Sequence, residues 1–557
     1  MIRFLNKRLG MLMLVVLFIS ANVFSQTYTY QPYKTNVKPV KNVIVMIPDG
    51  TSIGIVSAAR WYKIYNGLGD NLHMDPYICG TVKTYSSNAP IGDSAPTTSC
   101  FMTGMPQQTG NVAIYPPADP ENDLVKVDPA MAYQPLVTLL EAARIEKGKA
   151  TGLVVTCEFP HATPADCSAH HYSRGNYKEI APQMAYQNLD VMFGSGVYIV
   201  TDDMKQHFNN KGIAYSENDP DAFRNLKKPK AWALFKDSAV PYDLDRDDAE
   251  IPSLEEMTRK ALDLLSQNKN GFFLMIEGSK VDWTAHANDA GGCITEFIAF
   301  DNAVGAVMEF AKKERNTAVV ILPDHGNSGF TIGRRDLGSY DRASLEKLFG
   351  PVSKYRKTAE GLEKILLRLK PEEVRETIKE YTSIEITDEE YKSLLNSKNY
   401  HVEDYTKVGE NRNMQAVLVD IMNQRTYFGF TTGGHTGEEV FLAAYHPKGN
   451  IPIGMNTNIE INHYLQDALG LKTKLPDLTK QVFAKHTEVF KGFDLQIDKT
   501  KDFPHLIVKK GGKTLDIPAF TSVALLDGKP FDIGSVVVYV DKTDTFYLPK
   551  KLAEKMK

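Results

Sequence analysis

Apolar residues along the chain gather into short runs that stop abruptly at acidic, imidazole or hydroxyl side chains. Val43–Ile47 runs into Pro48-Asp49-Gly50, and Gly152–Val155 leads to Glu158 and then His161-Ala162-Thr163-Pro164. Phe272–Ile276 ends at Glu277-Gly278, with Asp282 and His286 just beyond, and Ala318–Leu322 ends at Pro323-Asp324-His325-Gly326. Runs rich in Val and Ile without polar alternation predict strands buried on both faces, and the helix-period segments between them predict a parallel sheet covered by helices. After Thr295, for example, Phe300, Val304, Val307, Met308 and Ala311 recur on one helical face. The pattern therefore predicts an α/β protein. In open α/β sheets ligands bind outside the carboxyl ends of the strands, which is where these polar residues fall.

The flanks follow other patterns. Arg3, Lys7 and Arg8 precede the apolar run Met11–Phe24, with Val23 and Ser25 fitting a cleavage site, so Met1–Ser25 reads as a secretory signal peptide. The run spans 14 residues, short of the roughly 20 a membrane-spanning helix needs. The mature protein is expected to be exported, periplasmic or secreted, with no membrane segment. Residues 331–430 are charge-rich and helical in pattern: Pro371-Glu372-Glu373 starts one helix, and Thr387 with Glu390 forms a capping box for another. From 491 to 557 the pattern turns to short strands, with turns at Gly511-Gly512 and Gly528, which predicts a small β module.

Composition changes this picture little. Of 557 residues, 64 Lys+Arg stand against 68 Asp+Glu, a net charge of −4. No basic excess argues for nucleic acid as a partner. The five cysteines, Cys79, Cys100, Cys157, Cys167 and Cys293, include no C-x-x-C, which excludes a thiolate zinc finger or a thioredoxin-type motif. They read as small buried residues, although export permits a Cys157–Cys167 pair.

The candidate chemistry lies at the strand ends. One such Asp would read as a turn or cap; four strands ending in carboxylates, imidazoles and hydroxyls are hard to assign to capping. Three of the 13 histidines, His286, His325 and His435, sit in these tight contexts, the last in Gly433-Gly434-His435-Thr436-Gly437. Imidazole with carboxylate and no thiolate suits a catalytic divalent zinc, and magnesium where oxygens dominate. Asp282 and His286 are four apart, so on a helix both reach one ion. In Gly92-Asp93-Ser94-Ala95-Pro96, Ser94 is placed at a helix N-terminus, where it is either a simple cap or a hydroxyl whose phosphoryl adduct the helix dipole favours. With no adjacent His as base, metal coordination would have to activate it.

In this order, Asp49, Asp93-Ser94-Ala95, His161-Ala162-Thr163-Pro164 with Arg174, Glu277-Gly278…Asp282…His286, Asp324-His325 and His435-Thr436-Gly437 resemble the alkaline phosphatases, over about Val43 to Pro447. The resemblance implies a three-layer α/β/α sandwich with a central, mostly parallel sheet. It implies residues 26–490 as the catalytic domain, with 331–430 as a helical insertion, and 491–557 as a C-terminal β module. It further implies two zinc ions and a magnesium ion, phosphate monoesters as substrates, Ser94 as the nucleophile and a homodimer as the family default. Asp282, His286 and His435 would hold the first zinc; Asp49, Asp324 and His325 would hold the second, beside Ser94. Asp49, Thr163 and Glu277 would hold magnesium, and Arg174 would clamp the phosphoryl oxygens bidentately. Two outer positions depart from the best-known bacterial pattern: His161 stands where it has Asp, and Trp283 where it has Lys.

Alternatives stay on the same superfamily fold or leave catalysis altogether. A phosphodiesterase or a cofactor-independent phosphoglycerate mutase would share the fold; Arg174 favours a monoester dianion. A sulfatase is disfavoured, since no C-x-P-x-R surrounds Ser94. A non-catalytic exported protein that binds metal or phosphate is the remaining class.

Overall fold

The computed structural model describes residues 37–397 and 413–556; the expected leader and residues 398–412 of the expected insertion lie outside them. Ten strands form the main sheet: β1 (Asn42–Pro48), β2 (Ile78–Lys83), β3 (Ala150–Glu158), β4 (Val191–Ser195), β5 (Ala214–Glu217), β6 (Ala231–Leu234), β7 (Phe272–Gly278), β8 (Thr317–Ile321), β9 (Val440–Tyr445) and β10 (Gly454–Thr457). They lie in the order β10-β2-β9-β8-β1-β7-β3-β4-β6-β5. All run the same way except β9, which pairs antiparallel with β2 and β8. The mostly parallel sheet expected from the apolar runs is present, and its central strands are buried along their whole length.

The helices used below are α1 (Ile53–Tyr65), α2 (Ser94–Thr103), α3 (Leu139–Lys147), α4 (Ala162–Ser168), α5 (Tyr177–Tyr186), α6 (Leu254–Leu265), α7 (Lys280–His286) and α8 (Ala290–Glu314). In the later part of the chain lie α9 (Ala359–Leu366), α10 (Val374–Thr382), α11 (Asp388–Ser397), α12 (Met414–Gln424) and α13 (Asn458–Leu469).

Side chains alternate across a strand, so β1 feeds two separate cores. Val43, Val45 and Ile47 pack with α2, α3, α4, α5 and α13 on one side. Ile44 and Met46 pack with α1, α6 and α8 on the other, and Phe300, Val304, Val307, Met308 and Ala311 of α8 all lie in that second core. The result is an α/β/α sandwich. Helices α9 and α12 extend the same second core through Leu362, Met414 and Leu418. The capping box read from Thr387 and Glu390 forms, with Glu390 N donating to Thr387 Oγ1 at 3.2 Å and Thr387 N to Glu390 Oε2 at 2.9 Å.

After α13 the chain builds a five-stranded antiparallel meander: β11 (Asp494–Asp498), β12 (His505–Lys510), β13 (Lys513–Pro518), β14 (Val523–Leu526) and β15 (Lys529–Asp532). Its tight turn at Gly511-Gly512 has φ of 58° and 81°, the left-handed pair a two-residue hairpin needs. Leu506, Val508, Leu515 and Ile517 give this segment a core of its own, and Lys178 of α5 meets Asp502 at 2.9 Å.

Candidate active site

Four parallel strands deliver their polar ends to one edge. The turn after β1 carries Asp49, whose N–H donates to Gly278 O at the end of β7 (3.3 Å). Gly50 follows with φ of 57° and passes so close to α7 that a Cβ would sit 2.2 Å from Asp282 Oδ1. Its N–H donates to Asp324 Oδ1 at 3.1 Å, and His325 N donates to the same oxygen at 3.0 Å. That shared acceptor bends the chain beyond β8 and lets two adjacent residues, Asp324 and His325, face one centre.

Ser94 is the first residue of α2, and Asp93, not Ser94, occupies the cap position. The hydroxyl is therefore free of the simple capping role. It lies 3.4 Å from both carboxylate oxygens of Asp49 and 3.3 Å from His325 Nε2. Arg174, in the loop between α4 and α5, reaches the same spot and pairs through Nη1 with Asp93 Oδ1 at 2.5 Å.

The three histidines share one arrangement. His286 Nδ1 lies 2.7 Å from Gly433 O, His435 Nδ1 lies 2.9 Å from Gly92 O, and His325 Nδ1 lies 3.2 Å from Gly326 O. Each carbonyl accepts a hydrogen bond from the Nδ1–H and so leaves Nε2 as the lone-pair nitrogen turned inward, the orientation metal-binding imidazoles adopt. His286 Nε2 and His435 Nε2 are 3.1 Å apart, and the rings of His325 and His435 stack at 3.8 Å. Asp282 faces them, 3.4 Å from His286 and 3.6 Å from His435, as the i, i+4 spacing on α7 allows. Asn327 Nδ2 donates to Asp282 Oδ1 at 2.7 Å and fixes that carboxylate.

Donor atoms of Asp282, His325 and His435 lie within 4.8 Å of one another, as do those of Asp49, Asp324 and His325. A third cluster, Cys157, His161 and Glu277, meets the same limit. Thr163, on the first turn of α4, borders it; its Oγ1, Glu277 Oε1 and Asp324 Oδ2 are buried without a hydrogen-bond partner. Cysteines do not pair: Cys157 Sγ faces Glu277 Oε2 at 3.5 Å and Cys167 Sγ faces Thr163 O at 3.6 Å, so the pairing that export would permit is absent.

Electrostatics explain what such a site requires. Burial, then Asp324 and Asp282, push the Asp49 carboxyl well above the usual range. Burial drives Asp324 and Glu277 each up to about 7. Asp282 goes the other way, because three imidazoles outweigh its burial. Burial and then the neighbouring Arg174 depress His161 to about 3. Buried carboxylates at this density and bare imidazole nitrogens form a donor set that fits divalent cations, which would supply the charge the carboxylates need.

A cleft of about 710 Å³ opens over Ser94, Arg174, His286 and His435. His161 borders it, with Nε2 3.4 Å from Arg174 Nη2 and its ring 5.8 Å from that of Trp283. The two departures from the best-known bacterial pattern, His161 and Trp283, thus stand together, with His161 beside Arg174. The strand-end pattern assigns no role to Asp93 or Asn327, and Cys157 reads only as a small buried residue or a partner for Cys167. Asp93 was visible within the Gly92–Pro96 motif; Asn327 gave no periodic or motif signal.

The alkaline phosphatase family profile matches residues 40–471, spanning every strand of the main sheet and all the residues named above. The chain belongs to the alkaline phosphatase family. Like that family, which is metal-dependent, it hydrolyses phosphate monoesters. Alkaline phosphatase 3 of Bacillus subtilis is 33% identical over 458 residues, 80% of this chain and 92% of that protein. The cold-active alkaline phosphatase of a psychrophilic Shewanella superposes with a TM-score of 0.66 at 25% identity, over 77% of this chain and 99% of that one. The Thermus thermophilus alkaline phosphatase shares the fold, with a TM-score of 0.69 at 23% identity, over 81% of this chain and 96% of that one. Among the described residues no helix is long and apolar enough to cross a membrane.

Proposed function

We propose that this alkaline phosphatase works through a phosphoserine at Ser94. The observation that carries the reading is the convergence of three inward Nε2 atoms and the carboxylates of Asp49, Asp282 and Asp324 around one serine hydroxyl at a helix start. Asp282, His286 and His435 would hold one zinc; Asp49, Asp324 and His325 a second; Asp49, Thr163 and Glu277 the third-site cation, magnesium in the family pattern. Bound there, the cations would supply Lewis-acid stabilisation of the attacking and leaving oxygens and ease deprotonation of the hydroxyl and of water. Arg174 takes two non-bridging phosphoryl oxygens, with Asp93 fixing its fork. The Ser94 Oγ–P bond forms as the hydroxyl loses its proton to solvent and the phosphorus–alkoxide bond of the substrate breaks, the alkoxide leaving protonated; water then cleaves the Ser94 Oγ–P bond, restoring the Ser94 hydroxyl and releasing phosphate. The N-terminal amides of α2 favour the phosphoryl group in both halves.

The leader grammar supports export to the periplasm or medium, and the family default of a homodimer is carried with it. Residues 26–490 act as the catalytic domain, 331–430 as its insertion and 491–557 as an appended module. Turnover of p-nitrophenyl phosphate against bis-p-nitrophenyl phosphate tests the substrate class: monoester preference is expected, and a diester preference overturns the reading. Ser94→Ala should lower monoester turnover by at least about 10³-fold, with zinc content unchanged by elemental analysis.

A further inference from the structure

A second cavity, of about 720 Å³, lies between α5 and the C-terminal meander, within the size range of small-molecule sites. Tyr177, the first residue of α5, lines both this cavity and the cleft over Ser94 and Arg174. The two hollows therefore adjoin at one aromatic side chain. From Tyr177 the second cavity runs past Ala181 and Pro182 of α5 to Tyr198, in the turn after β4. Its far wall is Phe503 and Pro518 of the meander segment. The family profile ends at residue 471, so that wall is supplied by a part of the chain outside the matched family core.

The charged groups around the cavity are engaged with one another. Lys178 pairs with Asp502 at 2.9 Å and stands 5.4 Å from the centre of the Phe503 ring. Lys501 and His505 both pair with Asp516, at 3.3 Å and 2.5 Å. Aromatic and aliphatic walls with paired charges at the margin suit an apolar occupant, whose burial removes apolar surface from water. On the reading given under Proposed function, Ser94 and Arg174 hold the phosphoryl group. The part of the substrate free to extend past Tyr177 is then the leaving alcohol.

We propose that this cavity is a leaving-group subsite, which takes the aryl-class alcohol portion of a phosphate monoester whose phosphoryl group sits at Ser94. Tyr177, Tyr198 and Phe503 are its specificity-determining residues. The inference rests on the monoesterase reading and names a substrate class for it.

Steady-state kinetics of the metal-loaded, full-length enzyme with phenyl phosphate and biphenyl-4-yl phosphate tests it. The two phenols are of similar acidity, so the ratio of kcat/KM values reports contact with the second ring and not leaving-group chemistry. The wild type should favour the biphenyl ester by about 10-fold or more, the effect of burying one further ring. Tyr198→Ala and Phe503→Ala should each cut that ratio several-fold, and Tyr198→Phe should preserve it, because the ring and not the hydroxyl forms the wall. Tyr198 is 65% exposed, so its truncation keeps the test available should Phe503→Ala disturb the meander. Equal kcat/KM for the two esters in the wild type, or a biphenyl preference that survives both alanine variants, would overturn the subsite and leave the phosphatase reading standing. No turnover of either monoester by the metal-loaded wild type would overturn both.

Discussion

Asp93 shows how much of this site depends on single side chains that never touch the reacting atoms. Its carboxylate holds Arg174 at 2.5 Å, which on the reading proposed above would set where the guanidinium fork meets a phosphoryl group. Burial opposes the charge on Asp93, yet Arg174 and the nearby His435 and His325 keep its pKa low, so it stays ionised for the task. Asp93→Ala should leave Arg174 charged but without its ion pair to Asp93. The expected result is a fall in kcat/KM of roughly 10- to 100-fold, since an ångström of misplacement costs about that much, with weaker inhibition by inorganic phosphate in steady-state kinetics. Asn327 acts likewise on Asp282. Neither role is readable from the chain, because each is a contact between side chains 81 or 45 positions apart. Residues such as Asp49, Glu277 and Asp324 were readable, because each follows a conspicuous apolar run.

The turn after β1 is the element on which the cations' pockets hinge. Gly50 adopts φ of 57°, and its missing Cβ leaves room for Asp282 Oδ1, which would otherwise stand 2.2 Å away. Its N–H also positions Asp324. Gly50→Ala combines backbone strain with displacement of a metal-facing carboxylate. Activity should drop about 100-fold or more while far-ultraviolet circular dichroism stays native; wild-type activity in that variant would contradict the geometry. The helix α7 was legible as an i, i+4 pair, and the face of α8 as a 3.6-residue period. The reach of the inserted helices was not. Asn423 of α12 donates to Asn288 O at 2.7 Å, two residues past His286, so the insertion braces the flank of the site as well as decorating the surface.

Across the molecule, the sandwich buries Asp49, Glu277 and Asp324 at one edge, where bound cations would balance them. Without such cations Glu277 and Asp324 each rise to about 7, with burial as the main cause. A carboxylate whose folded pKa lies above its unfolded value contributes stability that is full below about pH 4 and is lost as pH rises through the folded pKa. In the EDTA-treated protein these two carboxylates should therefore add a downward slope to Tm between about pH 4 and pH 7, by differential scanning calorimetry, against the upward slope that the depressed His161 contributes. Glu277→Gln should flatten that slope, and an unchanged slope would rule out Glu277 as a contributor. The sequence by itself determined the α/β class, the parallel strands and the strand-end chemistry, because burial on both faces leaves a continuous apolar signature that ends where the strand ends. It also marked the C-terminal hairpins, whose Gly511-Gly512 turn is a local backbone requirement. Only the tertiary structure decided which imidazole nitrogen faces inward, which carboxylate holds Arg174, and that Cys157 joins His161 and Glu277. Those outcomes depend on carbonyls and side chains brought together by strand order, and strand order is set by packing between segments far apart in the chain.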